Sequence, residues 1–494
     1  MEEVKLQLIP RDPEKPDVVT ILLTDKHKLV LRLKFRQKLV ECSLVEDATV
    51  VQSDAVKIKG DVVKRLLKKQ VLKEAQKIVG KDNKAKLIQA IEHALDELRK
   101  LFFEKKREIR EKRRQKIKEC YEKYKEEILK DPIAFAKELM SEHVGDDRAK
   151  EILLLALGSR YNKQGKMRIS VIIQGAPSSG KSHLVKTFAK ILPSNFYYDL
   201  SRITPRALDY LPELLGTSNV DGVIFIITEF QGVDSNYTIR ILITEGKFEI
   251  LTLMHDRKGR LIPRYLVLEG FPIFITTTTK TEGLDVQILT RAVVVPVDES
   301  PELTAEVVKH IVHKDFTYER ELKEKIIAFK YFLKHELEPL YVRLDEGAKQ
   351  ELEDFLLQLE WTTYLRRIAD LTRSLVEARA LLFQHSRKRD GDVIYATKED
   401  VEAVKHLVGR LFRIQVRGIS PREHEIISRI REVLANKPDG MTYHELQREL
   451  AKRGVSLSYD YVRRIVNEHD GVFWYVVRDR RPHRVMLIEE GYRD

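Results

Sequence analysis

Cysteine is nearly absent from this chain: Cys42 and Cys120 are the two thiols in 494 residues. Two sulfurs are too few for a zinc site, and they stand too far apart in sequence for a CxxC pair. That usage points to a reducing, intracellular compartment. Long hydrophobic runs are missing as well. The longest, residues 152–157 and 223–227, fall far short of the roughly 20 apolar residues a membrane span needs. The opening Met-Glu-Glu-Val-Lys has no signal-peptide shape, so the expectation is a cytoplasmic chain with no membrane partner. Neither a low-complexity tail nor an internal repeat is visible. Residues 61–130 contain no proline, and Gly80 is the one glycine among them.

What is abundant is charge. Charged residues make up 34% of the chain, against about a quarter in an ordinary globular protein. The balance is basic, with a net charge of +12 at pH 7, which is compatible with a polyanionic partner such as nucleic acid. The 43% hydrophobic content is enough for real cores, and the length suggests about three domains.

Residues 1–58 hold short β-rich runs at 18–23, 29–33 and 38–44, and read as a small β domain. Residues 59–130 read as a charged helical segment, dense in Lys, Arg and Glu from residue 99 onward. The bland reading of that density is a solvated helix laced with i,i+4 ion pairs. Its basic excess leaves a nucleic-acid arm open. Asp131-Pro132 restarts the chain, and residues 131–300 alternate strands and helices as an α/β ATPase core requires. Residues 301–415 look all-helical, a lid. The last stretch, 416–494, reads as three helices followed by two strands, the order of a winged helix.

The motif that carries most chemistry is Gly175-Ala176-Pro177-Ser178-Ser179-Gly180-Lys181-Ser182. An apolar run precedes it and an amphipathic segment follows, so it sits between a strand and a helix. The spacing GxxxxGK[ST] is that of a phosphate-binding loop. Glycine lets the backbone curl until successive N–H groups point inward at phosphate oxygens, and the helix start adds its positive end. Lys181 reaches the β- and γ-phosphates, and the Ser182 hydroxyl can ligate Mg²⁺. ATP and Mg²⁺ are therefore the expected cofactors.

Downstream, the buried-type strand at 223–227 ends in Thr228-Glu229, about 45 residues after the loop. The strand at 272–275 runs into four threonines, of which Thr278 is placed to sense a γ-phosphate. Arg291 stands just before the apolar run at 292–295. Between these lie a helical stretch, 236–246, and two strand-like runs around His255-Asp256-Arg257-Lys258-Gly259-Arg260. They read as a hairpin with a basic tip.

Taken together, residues from about 131 to 412 resemble the AAA+ helicase region of primase-associated proteins of plasmids, phages and integrative elements. That clade also holds superfamily 3 and minichromosome maintenance helicases. The resemblance rests on the loop with His183-Leu184-Val185, on Ser201-Arg202-Ile203-Thr204-Pro205-Arg206-Ala207-Leu208 and on Asn236-Tyr237-Thr238-Ile239-Arg240. It continues through Thr244-Glu245-Gly246-Lys247, Leu289-Thr290-Arg291, Val297-Asp298-Glu299-Ser300, Leu365-Arg366-Arg367-Ile368-Ala369-Asp370-Leu371 and Ala396-Thr397-Lys398-Glu399-Asp400.

The resemblance implies roles for these residues. Glu229 polarises the attacking water, and Thr228 stands where an Asp usually steadies the Mg²⁺ shell. Arg291 acts in trans on a neighbouring subunit's nucleotide, with Arg366 as the lid's sensor and Arg367 beside it. The hairpin tip, with His255, Arg257, Lys258 and Arg260, points into the pore of a hexameric homo-oligomer and tracks a phosphate backbone. The C-terminal module is similar to winged helices that follow other helicase lids. Its DNA contacts would be Tyr459, Tyr461, Arg463 and Arg464 on the third helix, with Arg478, Arg480, Arg481 and Arg484 on the wing. The implied function is an ATP-dependent, ring-forming DNA motor, a replicative-type helicase of a mobile element or of an archaeal or thermophilic host. An ATP-binding DNA initiator with little hydrolysis, and an AAA+ loader or remodeller acting on protein, remain as alternatives.

Overall fold

The computed structural model describes residues 4–9, 17–34, 37–47, 49–57, 62–165, 168–201, 207–212, 216–228, 237–255, 260–279, 290–313, 319–417, 419–455, 457–470, 473–478 and 482–487. The chain divides into two units, Met1–Lys118 and Glu119–Asp494.

In the first unit, β1 (Gln7–Ile9), β2 (Val18–Leu22), β3 (His27–Lys34), β4 (Leu39–Glu46) and β5 (Thr49–Lys57) pair in chain order as an antiparallel meander. Alternation decides the buried face: Leu29, Leu31 and Leu33 of β3 lie opposite Leu44, Cys42 and Val40 of β4, and all six are buried. Strand β5 carries Gln52, Ser53 and Asp54 and is reached across a register shift at Leu44/Val45, so its apolar signal is weak. The sheet's face is completed by α1 (Val62–Leu67), α2 (Gln70–Val79) and the start of α3 (Lys84–Lys130), through Leu66, Leu72, Leu87, Ile91 and Leu98. The core therefore runs across the boundary expected at residue 58. Further along α3, residues 106–116 are exposed all the way round.

The second unit opens with α4 (Pro132–Leu139), whose N-cap Asp131 accepts from Ile133 N and Ala134 N, and α5 (Asp147–Ser159). The α/β core follows as β6 (Ser170–Gln174), α6 (Lys181–Ile191), β7 (Tyr197–Leu200), β8 (Ile224–Ile227), α7 (Tyr237–Glu245), β9 (Lys247–His255), β10 (Leu261–Glu269), β11 (Ile273–Thr278) and β12 (Ala292–Pro296). Five of these strands form a parallel sheet in the order β12-β6-β11-β8-β7, while β9 and β10 pair separately as an antiparallel hairpin. Both faces are covered over β6, β8, β11 and β12, which is why these strands read as apolar runs, while the edge strand β7 is partly exposed. Ile172, Phe225, Phe274 and Val294 bury one face; Val171, Ile173, Ile226, Ile275 and Val293 bury the other.

Beyond it come α8 (Pro301–Val312), α9 (Glu319–Tyr331), β13 (Tyr341–Leu344), α10 (Glu346–Leu357), α11 (Leu365–Leu382), β14 (Arg389–Asp390), β15 (Val393–Ala396) and α12 (Lys398–Gln415). This corrects the all-helical expectation for the lid: β13, β15 and β14 form a small sheet. Its strands have two to four residues, too few for a period of two to stand out among helical runs. Val342, Leu344, Ile394 and Ala396 supply its buried side.

The chain ends in α13 (Pro421–Ala435), β16 (Met441–Thr442), α14 (Tyr443–Lys452), α15 (Tyr459–Glu468), β17 (Trp474–Val477) and β18 (Arg484–Leu487). Ser420, Thr442 and Ser458 cap the three helices through their hydroxyls. Fully buried Trp474 anchors this module's core and donates its indole N–H to Val466 O at 2.8 Å. No helix among the described residues is long and apolar enough to cross a membrane.

Candidate nucleotide-binding site

The loop 175–182 joins the C-terminal end of β6 to the N-terminus of α6, at the edge where ligands collect in parallel α/β sheets. Gly180 holds φ +86 in the left-handed region, and Ser178 holds φ +65. Side chains rarely adopt that conformation, and here it turns the chain back on itself. Gly175 is required for a different reason. A Cβ on it would lie 2.4 Å from Val297 Cγ2 and 2.7 Å from Ser179 Oγ. The loop is thus closed by contact with the segment after β12.

Lys181 is 6% exposed. Its ammonium donates to Ala176 O and, at 3.2 Å, to Ser179 Oγ. Burial pushes its pKa down, and the nearby Arg422 guanidinium pushes the same way, with Glu299 opposing. A buried cation under such pressure is stabilised by incoming negative charge. The cradle fits a polyphosphate: a backbone curl, a buried ammonium and a helix N-terminus converge on it, with the exposed Ser182 in the first turn of α6.

Residues 119–326 match the MTBMA_p00010 P-loop domain family.

The core of this chain accordingly carries a P-loop domain. The match begins at the residue where the second unit begins, and it ends within α9. No curated protein matches the chain.

The sheet order explains what surrounds this P-loop. Strand β11 is inserted between β6 and β8, so its tip lies between the loop and the end of β8. Gly175 N donates to Thr278 O at 3.1 Å. Thr277 Oγ1 donates to Thr228 O. Thr278 is buried, 4% exposed, at the end of β11 beside the loop. Thr228 is half-buried at the end of β8, while Glu229 lies outside the described residues.

The two predicted arginines lie elsewhere. Arg291 is buried, 9% exposed, at the start of β12. Arg366 lines a groove with Leu344, Leu352, Leu357, Trp361 and Arg373. Its neighbour Arg367 donates to Thr290 Oγ1 at 3.2 Å, next to Arg291. Among the described contacts neither Arg366 nor Arg367 touches the loop.

Instead, a residue not singled out as a contact stands there. Glu299, three residues past β12, accepts from Ala176 N, and Arg422 in the first turn of α13 holds its carboxylate bidentately at 2.9 and 3.1 Å. One residue before the loop, buried Gln174 donates from Nε2 to Ser420 Oγ at 3.2 Å, the hydroxyl that also caps α13. The sole local signal for this contact was the N-cap sequence Ser420-Pro421-Arg422-Glu423; its partners are more than a hundred residues away.

On the other flank, His143 Nε2 lies 2.7 Å from Asp146 Oδ2, and its Nδ1 lies 3.2 Å from His183 Nδ1. Asp146 also accepts from Asp298 N at 2.8 Å. The turn between α4 and α5 is thereby fixed against the first turn of α6 and against the segment after β12.

Of the expected nucleic-acid contacts, Arg463 and Arg464 are exposed on α15 around a shallow pocket shared with Asp460 and Asn467. Tyr459 and Tyr461 are half-buried against the module's core. Arg478 is engaged within the module, 2.7 Å from Asp470 Oδ2, and Arg484 donates to Asp439 O at 2.9 Å. Arg480 and Arg481 lie outside the described residues. So do Arg257 and Lys258 at the hairpin tip, while Arg260 is exposed at its return; of His255 the backbone in β9 is described.

Proposed function

We propose that this chain is an ATP-driven motor that works on DNA as a ring of identical subunits, of the replicative-helicase kind. The observation that carries the proposal is the direct attachment of the P-loop to the C-terminal module. Gln174 and Ala176, on either side of Gly175, reach α13 through Ser420 and through the Glu299–Arg422 pair. The same module presents Arg463 and Arg464 on α15. A module fastened to the nucleotide loop is placed to feel its occupancy, and an arginine-bearing third helix suits a polyanionic duplex or strand. The winged-helix reading of this module rests on its element order, three helices with a β-ribbon. The chain's charge of +12 agrees with such a partner.

In this account the loop amides and Lys181 hold the phosphates, and Ser182 is positioned for Mg²⁺. The nucleotide supplies the phosphoanhydride whose hydrolysis drives the cycle. Thr278 fixes the loop's first amide through its carbonyl, and its hydroxyl would sense the terminal phosphate. Glu229 orients the attacking water. Arg291 would serve a neighbouring subunit, and it must leave its buried position to do so. The apolar face of the hairpin, with Leu251, Leu253, Leu261 and Tyr265 exposed, is compatible with packing in an assembly.

One observation favours the initiator reading, in which ATP is bound but scarcely hydrolysed: the end of β8 carries the neutral Thr228 where a carboxylate would steady the metal shell. Steady-state ATPase activity with and without single-stranded DNA tests both. Turnover stimulated by DNA supports the motor; tight ATP binding with negligible turnover in either condition supports the initiator.

A further inference from the structure

Glu299 is the one carboxylate seen bonded to a P-loop amide among the described residues. A carboxylate at a P-loop wall is unusual company for a phosphate site, because a triphosphate brings several negative charges to the same place. The pair it forms is also asymmetric. Arg422 lies close enough to Lys181 to disfavour that ammonium's charge, and Glu299 favours it. Two cations and one anion therefore share the mouth of the loop.

We infer that Glu299 and phosphate are rivals for Arg422. When nucleotide binds, the guanidinium exchanges the Glu299 carboxylate for a phosphate oxygen, and Arg422 becomes a nucleotide contact supplied from the C-terminal module. The inference rests on the P-loop binding a nucleoside polyphosphate, and it deepens that reading by naming a phosphate ligand that the motif does not contain.

The geometry suits this exchange. Arg422 presents a planar fork already engaged bidentately by one oxyanion, and the same fork fits phosphate oxygens. Its anchor is rigid. Arg422 lies in the first turn of α13, one residue past Pro421, and the cap residue Ser420 is buried and bonded to Gln174. A modest side-chain swing therefore re-aims the guanidinium while the helix stays fixed to β6. Glu299 has room to leave: its side chain is 37% exposed, against 16% for Arg422. Released from both partners, the carboxylate regains solvent without a buried charge being left behind. The exchange also gives Arg422 the position relative to the loop that Arg366 does not occupy.

The two residues then act on affinity in opposite directions. Glu299→Gln removes the rival charge and keeps the shape, so binding of a fluorescent ATP analogue to the full-length protein should tighten several-fold. Arg422→Gln removes the phosphate contact, and binding should weaken about tenfold, the range for losing a charge-assisted hydrogen bond. Arg422→Lys should recover part of the loss. Because the contact is to phosphate, ADP and ATP analogues should both respond while adenosine should not bind measurably better to Glu299→Gln. Thermal unfolding of each variant without nucleotide separates misfolding from lost affinity.

If both substitutions weaken binding alike, or Glu299→Gln leaves it unchanged, the pair is a structural brace and the inference is overturned. If the unaltered protein binds no nucleotide, or Lys181→Ala binds as well as the unaltered protein, the P-loop reading itself has failed, a separate outcome. Opposite signs with Lys181→Ala inactive support both.

Discussion

Gly175 and Thr278 are joined by a backbone hydrogen bond of 3.1 Å, from the first amide of the P-loop to the last carbonyl of β11. The strand tip that carries the candidate sensor is therefore part of the loop's own frame. The Thr278 hydroxyl can be removed without disturbing that bond.

Thr278→Val should fold normally and bind nucleotide close to the unaltered affinity. Its turnover should fall by roughly a hundred- to a thousandfold, as expected for losing one preorganised polar group near developing charge. Equilibrium binding and steady-state ATPase assays on the same preparation check this. A matching loss in affinity would assign Thr278 to binding instead.

Gly175→Ala should be destabilising and should abolish nucleotide binding. Its Cβ would lie 2.4 Å from Val297 Cγ2, and overpacking of that kind costs about 1–3 kcal/mol. Combining it with Val297→Ala removes the offending methyl and should recover part of the lost stability. Thermal melts of the single and double variants read the effect.

Asp400 sits at 0% exposure between two arginines. Arg379 Nη1 and Arg387 Nη2 both lie 2.6 Å from its Oδ1, and Arg387 Nε and Thr397 N reach Oδ2 at 3.0 Å. This carboxylate closes the capping box of α12 and neutralises half-buried cations from α11 and from the segment before β14. Asp400→Asn should cost about 3–5 kcal/mol, because it leaves charge without a counterion. Chemical denaturation measures it; a loss below 1 kcal/mol would show that the arginines find other partners.

His424, in α13, is predicted to make the C-terminal module acid-sensitive. Its pKa is pushed below the ordinary 6.5, first by burial and then by Arg417, Arg410 and Arg431. The folded state therefore prefers neutral His424, and between its lowered value and the unfolded one the unfolded chain binds the extra proton. The stability this confers is complete above about pH 6.5 and is lost as pH falls through the folded value. Unfolding of the unaltered protein and of His424→Gln, followed from pH 7.5 to 5, should converge toward the acid end. Parallel curves would remove His424 as the cause.

The α/β core was the most legible part of the chain. Its strands β6, β8, β11 and β12 are buried on both faces and so announce themselves as apolar runs, and the P-loop has a spacing that its chemistry demands. Short elements hid. Strands β13 and β15 have four residues each, and β5 is largely exposed with polar residues through its middle. The contacts that tie the site together were also invisible, for a physical reason. Glu299 and Arg422 are 123 residues apart, and their pairing depends on where α13 docks. Arg366 and Arg422 are both arginines near helix starts. A single sequence offers no periodicity that tells which one faces the loop.

The central claim is that the P-loop drives work on DNA. Its most direct test is steady-state ATP hydrolysis by the full-length protein, with and without single-stranded DNA, beside Lys181→Ala. The account predicts measurable turnover that DNA stimulates several-fold and that Lys181→Ala abolishes. Turnover indifferent to DNA, or equal turnover in Lys181→Ala, would contradict it.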